Sequence, residues 1–435
     1  MLTGSLRKKG KVLVLLAYNP TTLVYPPFEH AMGYHRAVPF YLKLFGLNID
    51  VKEPYGIACC KMKIFDDPKT HADDDELTVI AVDRKNHRII YNIKLVKLKA
   101  LGKMGRGKGK FYFPTGVECS VDGDVWVCDW GNNRVVHLVM TPDSLVWDTA
   151  FGFYGIFPGE FDGPWDCAWD GEKLYVTDYG NNRVQVFTRR GRFLYEIENL
   201  PHPTGIAVIS EKERWNRFKE SFIVVITDDG RKIRKLSLTG QEEREVYYRE
   251  LELKDAYFSF PAIDYFSQIW VTDSKNHCIH MFTRNLLYVT SFGRKGKGDK
   301  EFISPRGIAI WRKFGQVFVV DDMGAQYYWM GGDGWVLGVN PDTFTVEDPG
   351  TVIGFYTTQP AYVKIEIFDE NGKRIRKLYP GFFEEPKDHL VMWDGRNDRG
   401  EVVPGRYKIR IKLTPPYSSR GRFKKILETE VVCVP

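Results

Sequence analysis

Long apolar runs are missing from this 435-residue sequence. The longest, Val12 to Tyr18, is seven residues, about a third of what a helix needs to cross a bilayer. No membrane insertion is expected. An excess of one charge is also missing. Lys plus Arg number 62 against 56 Asp plus Glu, a net charge of +6, which is too little to argue for nucleic acid without a focused basic patch. Cysteine is sparse and odd in number, seven in all, with no C-x-x-C pair. That excludes a disulfide framework and the common zinc spacings. Cys59 and Cys60 are adjacent, and Cys128 stands where sibling segments carry Val or Thr. They read as buried thiols of a chain that folds in a reducing compartment.

Catalytic signatures are missing too. There is no H-E-x-x-H, no G-x-S-x-G, no Walker loop and no G-x-G-x-x-G after a strand. His277 and His280 lie three apart and do not share a strand face. Asp73 to Glu76 lacks the alternation of a calcium loop. No enzyme activity, cofactor or metal site is expected. At the N-terminus, basic residues before Val12–Tyr18 imitate a signal peptide. The stretch is short, and Asn-Pro-Thr-Thr follows it without a small-residue cleavage site. A first β-strand is the expected structure there.

What the sequence does contain is a repeat. Six short apolar strands end in aspartate, at Asp83, Asp129, Asp178, Asp228, Asp273 and Asp321, and these positions are almost evenly spaced. Three continue as DRKNHRI, DWGNNRV and DYGNNRV, placing Arg88, Arg134 and Arg183 five residues after their Asp. A fourth, DSKNHCI, replaces Arg with Cys278, and the turns at Asp228 and Asp321 are degraded. Ahead of each Asp stands a proline beginning a second apolar strand, at Pro54, Pro114, Pro164, Pro203, Pro261 and Pro305. Proline cannot donate to a ladder, so the first strand position suits it. Two further strands follow each Asp turn. Four strands per unit, repeated at an even period of this length, is the signature of propeller blades, and six units predict a six-bladed β-propeller.

These segments resemble NHL-repeat propellers in the Pro-x-Gly-apolar-Ala start, the Val-x-Asp strand end and the Asn-Asn-Arg-Val turn. Glycine-rich lead-ins, FGFYGIFPGEFDGP and FGRKGKGDKEFISP, strengthen the likeness. The resemblance implies the fold over residues 39–338, preceded by an extension, 1–38. It leaves function open, since such propellers include enzymes, protein-binding modules and RNA-binding modules. The segment Phe40 to Phe45 resembles an outer strand and is expected to help close the ring.

A residue that every turn requires is architecture. The six Asp residues are expected to accept backbone N–H groups of their turns, and function is expected where the units differ. In four units the proline stands close ahead of its aspartate, as Pro164 does ahead of Asp178. The stretch is much longer in the first, Pro54 to Asp83, and in the fourth, Pro203 to Asp228. The first insertion carries Asp73, Asp74 and Asp75, and the fourth carries Trp215 and Phe218 among charges. These five residues are the expected partner contacts. The basic lead-ins GKMGRGKGK and GRKGKGDK suit an anionic polymer less well than they suit solvated turns.

Beyond residue 338, NPDTFTVEDPG reads as a linker, 339–350, followed by a module of antiparallel strands over 351–435. Val363, Ile365 and Ile367 alternate with Lys364, Glu366 and Asp369 neighbours, and Asn371-Gly372 marks a hairpin. The size fits an immunoglobulin-like sandwich. The stretch Trp393-Asp394-Gly395-Arg396-Asn397-Asp398-Arg399-Gly400, with Pro404-Gly405-Arg406-Tyr407, resembles the immunoglobulin-like domain of flagellar hook-cap proteins. That resemblance implies a docking or spacer role. The expected whole is all-β: a propeller and a sandwich in a structural or docking protein. Its partners would be proteins of an assembly, with a virion or phage tail-like particle, or a cell-surface appendage, as the setting. An intracellular scaffold binding protein or RNA, and a metal-dependent propeller lyase, are the alternatives.

Overall fold

The computed structural model describes residues 20–26, 36–38, 40, 50–67, 69, 77–93 and 97–435. The strand expected at Val12–Tyr18 and the acidic residues Asp73, Asp74 and Asp75 lie outside these. The chain divides into two compact units, Phe28–Tyr328 and Met1–Pro27 with Trp329–Pro435.

The larger unit is built of consecutive antiparallel sheets. The first is Pro54–Lys61, Leu77–Asp83, Arg88–Ile93 and Lys97–Leu101; the second is Val117–Cys119, Asp124–Asp129, Arg134–Met140 and Leu145–Phe151. The third is Pro164–Trp169, Lys173–Asp178, Arg183–Thr188 and Phe193–Ile197. The fourth is Ile206–Ile209, Phe222–Thr227, Lys232–Leu236 and Glu242–Tyr247. The fifth is Phe258–Ile263, Ile269–Asp273, Cys278–Phe282 and Tyr288–Phe292. The sixth joins Ile308–Trp311, Gln316–Asp321 and Gly324–Met330. Its outer edge pairs with Arg36–Ala37, opposite Gln326 and Ala325. Phe40 is exposed and forms no part of that edge, and residues 41–45 lie outside the described set. Two-residue strands are enough here, because Arg36 also donates through its guanidinium to Gln326 Oε1 and the Lys297 carbonyl.

Each sheet is apolar on both faces, as a strand flanked by two other sheets must be. Core clusters accordingly lie between neighbours: Trp126, Phe161 and Phe187 between the second and third sheets, Val184 and Val225 between the third and fourth, Phe222 and Phe258 between the fourth and fifth. Ile57, Ala309 and Val320 join the sixth sheet to the first, so the first strands meet in cyclic order. The glycine of the Pro-x-Gly start serves this packing. A Cβ on Gly205 would stand 2.2 Å from the Ser259 carbonyl oxygen, and one on Gly307 2.3 Å from that of Tyr55. Only glycine lets adjacent first strands approach so closely. The proline rule needs a correction in the fifth sheet: Pro261 stands inside Phe258–Ile263, beside a register shift, and a bulge removes the need for its N–H.

In the smaller unit, Gly334–Asn340, Thr351–Thr357 and Lys387–Trp393 form one sheet. Thr343–Thr345, Lys425–Val434, Gly405–Thr414, Ala361–Phe368 and Arg374–Phe383 form the other. Between them lie Ile353, Phe355, Ile365, Ile367, Trp393, Ile409 and Ile411, all fully buried. Trp393 donates to the Arg396 carbonyl at 3.0 Å and meets Tyr407 edge-on. Residues 339–350 are therefore more than a connection, since Thr343–Thr345 pairs in parallel with Val432–Val434. Leu23–Val24 pairs with Met330 and Trp329.

Candidate functional site

The repeated aspartates are architectural in geometry. Asp83, Asp129, Asp178 and Asp273 are unexposed and Asp321 nearly so. One oxygen of each accepts a backbone N–H from the incoming lead-in: Lys52, Tyr112, Asp162, Tyr257 and Ile303 respectively. In the first three, the other oxygen takes the Nε of Arg88, Arg134 or Arg183 at 2.8–2.9 Å and the amide of an asparagine three residues on. Asp228 departs from this: it is half-buried, has a left-handed backbone, and bonds Thr227 instead.

Positions beside the repeated Pro and Asp vary, and rings from alternate sheets gather there. Tyr55 of the first sheet meets Trp165 of the third at 5.9 Å and Phe260 of the fifth at 5.6 Å. Arg84 lies 5.1 Å from the Tyr55 ring and 5.4 Å from Trp130. Tyr179 stacks on Trp165, and its hydroxyl donates to Asp229 at 2.7 Å. Burial, with Asp229 beside it, pushes that phenol up to about 12. The rings thus meet with cations over them.

The fourth-sheet insertion is folded down. Trp215 is half-buried between Arg214 and Lys313, whose charges lie 4.8 and 5.3 Å from its ring. Phe218 is half-buried under Arg284 and against Phe266. Asn216, buried, ties the loop to the Ser210 and Glu220 carbonyls. Neither aromatic, expected as a partner contact, stands exposed: cations cover both.

Four exposed apolar side chains lie together in the lead-in to the third sheet. Phe153, Tyr154, Ile156 and Phe157 are exposed by 63, 66, 70 and 66%. The loop itself is well built. Gly155 donates to the Phe161 carbonyl, Asn181 to that of Gly155, and Arg183 to those of Phe157 and Glu160. The lead-ins to the second and sixth sheets share the fold, with Gly105 bonded to Phe111 and Gly296 to Phe302. Where this lead-in has Phe153, Tyr154 and Ile156, they have Lys103, Met104 and Arg106, and Arg294, Lys295 and Lys297. One backbone thus carries apolar side chains in one sheet and cations in two others, so the loop's folding does not demand the apolar set. Sequence reading missed it by treating the lead-ins as turns; the signal was the loss of cations from the middle one.

A model of the NHL repeat matches residues 111–138. The Drosophila melanogaster protein brain tumor is 26% identical over 142 residues, 30% of this chain. The chain spans only 13% of that relative's length. Similar solved structures include a streptogramin B lyase at 18% identity, with a TM-score of 0.43 over 65% of this chain and 95% of that one. A gluconolactonase from Xanthomonas campestris is 12% identical, with a TM-score of 0.46 over 65% and 87%.

Proposed function

We propose that this chain is a non-catalytic docking protein, a six-bladed NHL-type propeller with an immunoglobulin-like sandwich, which binds a partner protein through the lead-in loop of its third blade. The observation that carries the reading is the contiguous exposed apolar set Phe153, Tyr154, Ile156 and Phe157 on a loop whose sisters are cationic. Exposed aromatic and aliphatic side chains on a loop with a bonded backbone make an interface anchor, because little backbone freedom is left to lose. The neighbouring lead-in, with Lys103, Arg106 and Lys108 exposed, favours a partner whose acidic rim flanks an apolar centre. The NHL match supports a protein-interaction role. A virion or cell-surface assembly is one setting that requires such docking.

The test places the sixth-sheet residues on the third-sheet loop: Phe153→Arg, Tyr154→Lys and Ile156→Lys together. The melting temperature should stay within a few degrees, since the sister loop folds with those residues. Recovery of the partner in a crosslinked pull-down from the source should fall at least tenfold. Undiminished recovery overturns the choice of surface. An RNA binder would gain affinity from three added cations, with a steep salt dependence.

A further inference from the structure

The fifth sheet breaks the repeat at its most buried point. In the first three sheets the strand-ending Asp is neutralised by an Arg five residues later. In the fifth, that position is Cys278, and His280 stands two residues further along the same strand. Both are buried with Asp273, at 7, 2 and 0% exposure. Their donor atoms converge. His280 Nε2 is 3.1 Å from Asp273 Oδ2 and 3.6 Å from Cys278 Sγ, and all three atoms lie within 4.8 Å of one another.

We propose that Asp273, Cys278 and His280 form a zinc site that replaces the arginine of the sister sheets. Four observations support it. The first is ligand type: thiolate, imidazole and carboxylate are the donors zinc takes. The second is spacing. At an ion about 2.3 Å from sulfur and about 2.0 Å from nitrogen, the 3.6 Å edge subtends about 114°, close to the tetrahedral angle. The third is the far side of the imidazole, where His280 Nδ1 is 2.8 Å from Ser291 Oγ. That contact holds the ring as ligating histidines are usually held, with Nδ1–H donating and the Nε2 lone pair turned to the other two donors. A Cys-His-Asp catalytic arrangement would instead need the thiol and the carboxylate on opposite ring nitrogens, whereas both face Nε2 here. The fourth is charge. Asp⁻ with Arg⁺ sums to zero in the sister sheets; Asp⁻, Cys⁻ and Zn²⁺ also sum to zero. The sulfur removed a cation from beside a buried carboxylate, and the ion restores it. Three protein ligands leave a fourth position for water. Bound there, zinc would pin the turn between Asp273 and Cys278, which Arg183 pins in the third sheet.

The third sheet also supplies the control. There the same positions are Asp178, Arg183 and Gln185, with Arg183 Nε and Gln185 Nε2 both on Asp178 Oδ2. The double variant Cys278→Arg/His280→Gln installs that set in the fifth sheet. Full-length protein is loaded with zinc, dialysed against a weak chelator and measured by plasma mass spectrometry. Wild type should hold about one zinc per chain, and the double variant less than a tenth of that. Cobalt in place of zinc should give a thiolate-to-metal absorption band in wild type, lost in Cys278→Ser; this second variant covers a failure of the double variant to fold. Wild type without zinc after loading, a double variant that keeps it, or a band that survives Cys278→Ser overturns the proposal. A proton on His280 Nε2 would then balance the charge.

Discussion

Asp178 accepts hydrogen bonds from Asp162 N, Asn181 Nδ2, Arg183 Nε and Gln185 Nε2 without any exposure to water. Replacing it with alanine leaves Arg183 with Glu196 and two carbonyls as partners. The loss should be about 3 kcal/mol by urea unfolding, the range for breaking a buried pair, and the apolar loop should still bind its partner in the folded fraction. His389 makes a different prediction. Burial among Phe355, Phe383 and the two sheets, with Lys387 adding to it, holds the imidazole down at about 4. A histidine depressed in the folded state is neutral there, so its stability is full above the unfolded value near 6.5. It is lost as pH falls from about 6.5 through about 4, on the order of 2 kcal/mol. The unfolding midpoint of the smaller unit should drop over that window, and His389→Gln should flatten the drop in calorimetric scans. At this scale the burial of five of the six aspartates was legible, since the residue recurs at a fixed period, but their backbone donors come from the lead-ins, and Asp228 departs. The convergence of His280 with Cys278 was not legible. His277 and His280 do not share a strand face, and the informative change is sulfur in the arginine position.

The strand starts and the loops divide differently at the scale of the element. Gly205→Ala forces a Cβ against the Ser259 carbonyl oxygen and the Pro261 ring, which should cost about 1–3 kcal/mol. Gly332→Ala, with open space around it and no positive φ, should change stability by only a few tenths by the same urea measurement. The Pro-x-Gly start could be read from the chain because it is local. The fate of the fourth-sheet insertion could not: Lys313 and Arg284 cover Trp215 and Phe218 from segments far along the chain, and nothing in ERWNRFK announces them. The apolar lead-in was visible but misassigned, its glycines drawing attention to the turn and away from the side chains between them.

For the whole molecule, the repeat predicted consecutive antiparallel sheets, and alternation predicted strands in the smaller unit. Arg36–Ala37 pairs at the sixth sheet, and of the segment Phe40 to Phe45 expected there only Phe40 is among the described residues. Two residues of strand carry too little pattern to be told from their neighbours. Deleting residues 1–38 removes this edge and the Leu23–Val24 pairing together. The melting temperature should fall by ten degrees or so, with aggregation through the bared edge of Gly324–Met330. A truncation that melts with the full chain refutes closure by this segment.

That edge has a consequence in time. Arg36 and Gln326, which it joins, are 290 residues apart. At roughly 5–20 residues per second, a ribosome separates their synthesis by about 15 to 60 s. Earlier sheets can form as hairpins while the chain lengthens, but the sixth cannot be completed until Arg36–Ala37 is met by Gly324–Met330. Until then, one end of the row of sheets stays open to any strand that reaches it, including the same segment of a second nascent chain on the same message.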